Sequence, residues 1–266
     1  QAGVTPSFRG IGFMKDGGPT SHANGISGDG STVIGSAWGP SGTEACTWTT
    51  ADGFVGLGDL PGAGFSSTAY GASYDGSVVV GKSNYVSGWE EAFRWTAATG
   101  IASLGVLPGG YPSSVATDVS ADGSVVTGFS NSDIYTYGAN EAFRWTAGGM
   151  VGLGALGGDT SPMSEGHGIS GDGSIVVGYS TSPFIEAFGW TAAEGMVGLG
   201  GLPSITSTTS QSEAISADGS TIVGQSTHFD GPEAFIWRRR DDGGGNMVGL
   251  GDLFGGSFHS HAFDVS

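Results

Sequence analysis

Five glutamates recur in one setting: Glu44-Ala45-Cys46-Thr47-Trp48, Glu91-Ala92-Phe93-Arg94-Trp95, Glu141-Ala142-Phe143-Arg144-Trp145, Glu186-Ala187-Phe188-Gly189-Trp190 and Glu233-Ala234-Phe235-Ile236-Trp237. Two carboxylates about 5–10 Å apart can hydrolyse a glycosidic bond, one as acid and one as base or nucleophile. That chemistry needs two unlike carboxylates, whereas these five share one context. A residue repeated in every unit serves every unit. We therefore expect each Glu to accept hydrogen bonds from the backbone or from Ser/Thr groups of an adjacent strand, and the Glu/Trp pairs to be structural. No catalytic residue, cofactor or metal ligand is assigned.

Other chemistry-bearing residues are sparser. Five Asp-Gly pairs carry Asp29, Asp75, Asp122, Asp172 and Asp218. Asp/Gly loops can bind Ca²⁺, but no EF-hand or calcium nonapeptide spacing accompanies them, and a hairpin turn already accounts for Asp-Gly. His259 and His261 would share one face of a strand, as half of a transition-metal site or as packed histidines. His22 stands at the repeat position of His261, and His167 and His228 lie elsewhere. Arg238-Arg239-Arg240 precedes Asp241-Asp242 in a turn where other units have Thr-Ala. It reads as a solvated tip or as a docking point for an acidic face of another subunit. His259, His261 and Phe263 join these arginines as possible interaction residues. Trp38, Tyr85, Trp89, Tyr135, Tyr137 and Phe184 lie in variable loops, where aromatics stack on sugars or contact proteins.

The elements that must position these residues follow from the repeat. The motif tryptophans are 47, 50, 45 and 47 residues apart, the period of a repeat architecture. Each unit has four short segments. The first ends in Ile26-Ser27, Ala72-Ser73, Val119-Ser120, Ile169-Ser170 or Ile215-Ser216. The Asp-Gly turn leads into a β-branched second strand that closes on Gly35, Gly81, Gly128, Gly178 or Gly224. Glycine weakens a strand, so its recurrence predicts that another backbone passes close by. The third strand holds the Glu-Ala-Phe-x-Trp motif, with Glu, Phe and Trp on one face and Ala on the other. Large against small suits sheets stacked face to face. A Gly-Leu-Gly-x-Leu run forms the fourth strand.

Four antiparallel strands per unit predict an all-β fold, a β-propeller of about five four-stranded blades within a single domain spanning 1–266. The units run approximately over 22–60, 68–106, 115–156, 165–202 and 212–253. Two extra terminal strands are expected, at 8–14 and 260–266, so that the blade number is five or six. The spare strands close the ring within one molecule, or complete a blade in a neighbour by strand addition, or belong to a longer chain.

Composition limits the function classes. Of 266 residues, 53 are Gly, without the three-residue period of collagen. Seven Trp, seven Tyr and fourteen Phe are too much aromatic surface for a disordered Gly-rich polymer. Twenty-five acidic residues against eight basic give a net charge of −17, which repels nucleic acid and anionic lipid. No apolar run approaches the length of a membrane-spanning helix. The chain starts at Gln1, as after removal of a signal peptide and equally as in an engineered or partial chain. The single Cys46 takes the slot of Phe93, Phe143, Phe188 and Phe235 and is expected to be a buried small hydrophobe.

The Glu/His-Ala-Phe-x-Trp core, the Ile-Ser-x-Asp-Gly-Ser-x-Val-Val-Gly run and the Gly-Leu-Gly-x-Leu run together resemble the HAF-type extracellular repeats of bacteria. The name tripeptide stands here as His261-Ala262-Phe263, and the other copies carry Glu for His. The resemblance covers about residues 8–266. It implies a secreted or surface-displayed bacterial protein and no particular reaction. Together with the spare strands, it leads us to expect a non-enzymatic structural or interaction protein, a homo-oligomer or a homopolymer such as a filament. A carbohydrate-binding propeller acting on cell-surface or matrix polysaccharide is the alternative, and a glycoside-active enzyme comes third. Neither nucleic-acid binding nor membrane insertion is expected.

Overall fold

The computed structural model describes residues 10–62, 64–85, 88–133, 138–157, 162–181, 184–203, 209–228, 231–240, 244–253 and 259–266. Twenty strands form five four-stranded antiparallel sheets, each built from four consecutive strands in sequence order. Blade one comprises β1 (Ser21–Ile26), β2 (Val33–Gly39), β3 (Gly42–Thr49) and β4 (Gly53–Gly56); blade two β5 (Ser67–Ala72), β6 (Val78–Asn84), β7 (Glu90–Thr96) and β8 (Gly100–Gly105). Blade three comprises β9 (Gly109–Val119), β10 (Val126–Ser132), β11 (Asn140–Thr146) and β12 (Gly149–Gly152). Blade four has β13 (Ser164–Ile169), β14 (Ile175–Thr181), β15 (Ile185–Thr191) and β16 (Gly195–Gly198); blade five has β17 (Ser210–Ile215), β18 (Thr221–His228), β19 (Gly231–Arg239) and β20 (Gly245–Gly249). First strands lie beside first strands of the next blade, and the sheets do not close into a ring.

The core sits between blades, because a lone sheet cannot bury its own face. Each junction sets the Phe of one motif against the Ala of the motif before it. Phe93 packs with Ala45, Phe143 with Ala92, Phe188 with Ala142 and Phe235 with Ala187. All four Phe rings are fully buried. Cys46, in the first blade, is also buried, and burial pushes its thiol up to about 12.

Hydrogen bonds repeat with the same period. In the Asp-Gly turns the Asp Oδ1 accepts the hydroxyl of the serine two residues earlier and the amide two residues later, as at Ser27–Asp29–Ser31 and Ser170–Asp172–Ser174. The turns also join blade to blade: Tyr74 N donates to Ala121 O, Ala121 N to Gly171 O and Gly171 N to Ala217 O, all at 2.9 Å. Across each junction one serine ties the third strand of the preceding blade to the segment that closes its fourth strand. Ser164 Oγ accepts from Ala142 N at 2.9 Å and donates to Gly154 O at 2.6 Å. Ser67, Ser114 and Ser210 do the same for Ala45/Gly58, Ala92/Gly105 and Ala187/Gly200.

The second-strand glycines face a backbone. A Cβ on Gly35, Gly81, Gly128, Gly178 or Gly224 would lie 1.9–2.0 Å from a carbonyl oxygen of the first strand of the same blade. The crowding has a cause. Each first strand carries a one-residue bulge beside that glycine, at Asn24, Tyr70, Thr117, His167 and Glu213, and a bulge pushes backbone out of the pleat.

The terminal segments differ from the expected strands. Residues 10–14 and 259–266 form no β-ladder, while 8 and 9 lie outside the described residues. A ladder needs a neighbour, and among the described residues neither segment has a middle strand to pair with. Both still keep blade-like contacts. Ser260 Oγ accepts from Ala234 N and donates to Gly251 O, each at 3.0 Å, as the junction serines do. Ser21 Oγ donates to Gly12 O, and Gly12 has the positive φ of Gly58, Gly105, Gly154, Gly200 and Gly251.

Ser164→Ala leaves a buried amide unpaired, and we expect it to destabilise by ~1–3 kcal/mol. Ser21→Ala, at the outer face of blade one, should change stability by less than about 0.5 kcal/mol. Urea unfolding of both variants measures the contrast.

Candidate functional site: the inner edge of the blades

The five motif glutamates are not brought together. Each turns onto its own blade. Glu44, Glu141, Glu186 and Glu233 accept from the amides of Gly58, Gly154, Gly200 and Gly251 at 2.7–3.0 Å. Each carboxylate lies over a glycine of the fourth strand, where a Cβ would clash with it. In blade two Ser103 replaces that glycine and its hydroxyl donates to Glu91. Trp48, Trp95, Trp145 and Trp190 are half-buried, and Trp237 is buried.

Unlike residues meet instead at the first-strand bulges. A bulge re-aims the side chain it carries, and the bulged positions hold five different residues: Asn24, Tyr70, Thr117, His167 and Glu213. Asn24 donates to Ala69 O and Thr117 to Gly166 O, each to the next blade. His167 Nδ1 lies 3.1 Å from Glu213 Oε2, and His261 Nε2 lies 3.1 Å from Glu213 Oε1. His167 Nε2 is 3.7 Å from Glu165 Oε2. Glu165 also accepts from Asn140 Nδ2 at 2.7 Å and from the Tyr179 hydroxyl. A continuous polar chain thus runs from blade three through blades four and five to the 260–266 segment.

Burial alone would strip the proton from His167. The carboxylates of Glu165 and Glu213 outweigh it and hold the imidazole charged up to about 9. Burial would raise both carboxylates, but His167, joined by Asn140 and Tyr179 at Glu165 and by His261 at Glu213, keeps them below the usual range. Nearby, burial pushes Asp118 up to about 7, against the pull of the Ile169 and Val119 amides, and Asp264 adds to the rise. An imidazole already protonated at neutral pH is a poor general base. The cluster is suited to ion pairing between blades.

The remaining sequence candidates scatter. His261 joins the cluster, with the Phe263 ring 4.0 Å from its own and Phe263 exposed. His259 and His22 are exposed. The His-x-His pair therefore does not converge, and among the described residues no group of three His, Cys, Asp or Glu is placed to hold a metal. Arg238 and Arg240 lie at the exposed tip, and Arg239 Nη2 is 3.7 Å from Glu194 Oε2 of blade four. Trp38, Trp89 and Phe184 are exposed, Trp89 stacking on Tyr111 at 5.4 Å. Tyr85 packs partly against the first core, and Tyr135 and Tyr137 lie outside the described residues. Sequence reasoning missed Glu165, His167 and Glu213 because it followed what repeats. The available signal was the opposite one, a fixed position in the first strand whose residue type changes from unit to unit.

No family model and no curated protein matches the chain. Solved structures do. A putative TolB from Agrobacterium tumefaciens aligns with a TM-score of 0.59 at 16% identity, over 90% of this chain and 83% of that one. TolB from Acinetobacter baumannii gives 0.54 at 13%, over 86% and 54%. Prolyl oligopeptidase B from Galerina marginata gives 0.53 at 10%, over 86% and 35%. The chain thus spans about half of the second and a third of the third. At these identities the likeness is one of fold, and the fold is that of the β-propellers.

The pH dependence follows from the inner edge. The depressed Glu165 and Glu213 stabilise the fold above the ordinary carboxylate value of 4.5, and that contribution is lost on acidification. The raised His167 contributes fully below 6.5 and loses its contribution as pH rises to about 9. The raised Asp118 also lowers stability as pH rises, between 3.8 and about 7. We expect the melting temperature to peak in mild acid. His167→Gln should flatten the alkaline decline, on the order of 2 kcal/mol, and Asp118→Asn the decline below pH 7. Thermal unfolding from pH 3 to 10 checks both signs.

Proposed function

We propose that this protein is a secreted, non-enzymatic interaction protein of bacterial surfaces that self-associates through its two open blade faces. One comparison carries the reading. Leu253 is 92% exposed, while its counterparts at internal junctions, Leu60, Leu107 and Leu202, are 2%, 4% and 3% exposed and Leu156 is half-buried. On the opposite face Ile26 is 57% exposed, against 5–6% for Val119, Ile169 and Ile215. Four junctions inside the molecule illustrate what covers such surfaces, namely the complementary face of another blade of the same repeat. A second copy presents that face. Burying each such side chain is worth about 1.5–3 kcal/mol, and the docked 260–266 segment offers a first strand to build on. The resemblance to extracellular repeats supports the location, and the alikeness of the five glutamates supports a role without catalysis.

A second reading, carbohydrate binding, is favoured by Trp38, Trp89, Tyr111 and Phe184, whose rings are exposed. A polysaccharide panel separates the two: retention by a glycan that is lost in Trp38→Ala or Trp89→Ala would favour it.

We expect light scattering at micromolar concentration to give masses above the monomer, and negative-stain images to show strings of discs. Leu253→Asp and Ile26→Asp should each return the protein to monomer while it stays folded. A monomer at all concentrations, with β1 and 260–266 already protected from hydrogen exchange, would overturn self-association.

A further inference from the structure

The fourth residue of the Glu-Ala-Phe-x-Trp motif varies: Thr47, Arg94, Arg144, Gly189, Ile236. In blades two and three it is arginine, and its guanidinium crosses the junction to the carbonyl of the next Asp-Gly turn. Arg94 Nε and Nη2 both donate to Gly123 O at 3.2 Å, and Arg144 Nε donates to Gly173 O at 3.2 Å. The equivalent carbonyl after blade four belongs to Gly219, whose φ of 72° matches Gly123 and Gly173. Gly189 sends nothing to it.

Glycine is not required at this position. A Cβ on Gly189 would meet only Leu199 Cδ2, at an ordinary 3.6 Å. Its place is instead a cavity of about 190 Å³, with Ile175, Leu199, Ile222 and Trp237 among its walls, Gly219 in its lining and Glu194 and Arg239 at one side. That is far more than the ~10–15 Å³ one water needs, and less than the ~300 Å³ at which small-molecule pockets begin. The space suits one side chain. At the first junction, where Thr47 stands, the space is a broad groove that includes Asp52 and Asp75.

We propose that the junction of blades four and five is a slot for an alkylguanidinium group, the arginine side chain of a partner protein, which enters where Gly189 omits its own. The apolar walls, Trp237 among them, take the methylene stem, and the Gly219 carbonyl takes the guanidinium as Gly123 and Gly173 do. Glu194, now facing Arg239 at 3.7 Å, supplies the negative charge at the rim. The slot is independent of self-association through the end faces.

The test is titration of the ¹⁵N-labelled protein, following the Trp237 indole N–H, with butylguanidinium, butanol and the peptide Gly-Arg-Gly. Butylguanidinium should bind with a dissociation constant on the order of 1–10 mM, as suits so small a ligand. Glu194→Gln should weaken it about tenfold, and Arg239→Ala, which frees Glu194, should strengthen it. Gly189→Arg, filling the slot from within, should abolish it. Binding of the peptide at least as tight as butylguanidinium supports a protein arginine as the natural occupant. Binding of butylguanidinium without the peptide supports the slot but overturns the protein source in favour of a free small cation. No shift at Trp237 with either guanidinium, equal binding of butanol, or binding that survives in folded Gly189→Arg would overturn the slot itself.

Discussion

One hydroxyl group organises the molecule. At every junction a serine of the incoming first strand bonds at once to the third strand and to the end of the fourth strand of the blade before it. A hydroxyl both donates and accepts, so one small buried side chain satisfies an amide and a carbonyl that belong to different strands. The Phe-on-Ala packing sets the distance between blades, and the serine sets their register. The bulge, the second-strand glycine and the turn-to-turn hydrogen bonds are all compatible with that one placement.

Much of this was legible in the residues. The alternation of large and small in Glu-Ala-Phe-x-Trp anticipated faces that interlock, and Asp-Gly between β-branched runs anticipated the hairpins. The second-strand glycines anticipated a close backbone, although the bulge that brings it close has no signature of its own. The inner edge was not legible. His167, Glu213 and His261 are separated by some 46–48 residues, and only the radial placement of first strands puts them side by side. His261 was singled out for a neighbour at 259, whereas its partner belongs to another strand. The terminal segments were legible as repeat fragments, yet strand geometry also depends on partners that a pattern cannot supply.

Repetition and its exceptions divide the labour. Where the units agree, residues hold the blades: the serine clamps, the Asp turns, the inward Glu. Where they disagree, the scaffold stays fixed while one side chain changes, as at the five bulges and at the fourth motif position. Such positions can vary while the fold is kept, because the backbone around them is already secured by groups that do not vary. The strongly acidic composition fits the same division. Many carboxylates are engaged locally by hydroxyls, amides or imidazoles, and three of the cations, Arg94, Arg144 and Arg239, reach across blade boundaries.

The direction of the serine clamp also bears on how the chain is made. The hydroxyl that secures each Glu-Ala-Phe strand lies 22–23 residues further on at the four internal junctions. During synthesis a blade therefore emerges whole but unlatched, and it is fixed only when the first strand of its successor leaves the ribosome. Each new unit thus supplies the clamp of the one before it.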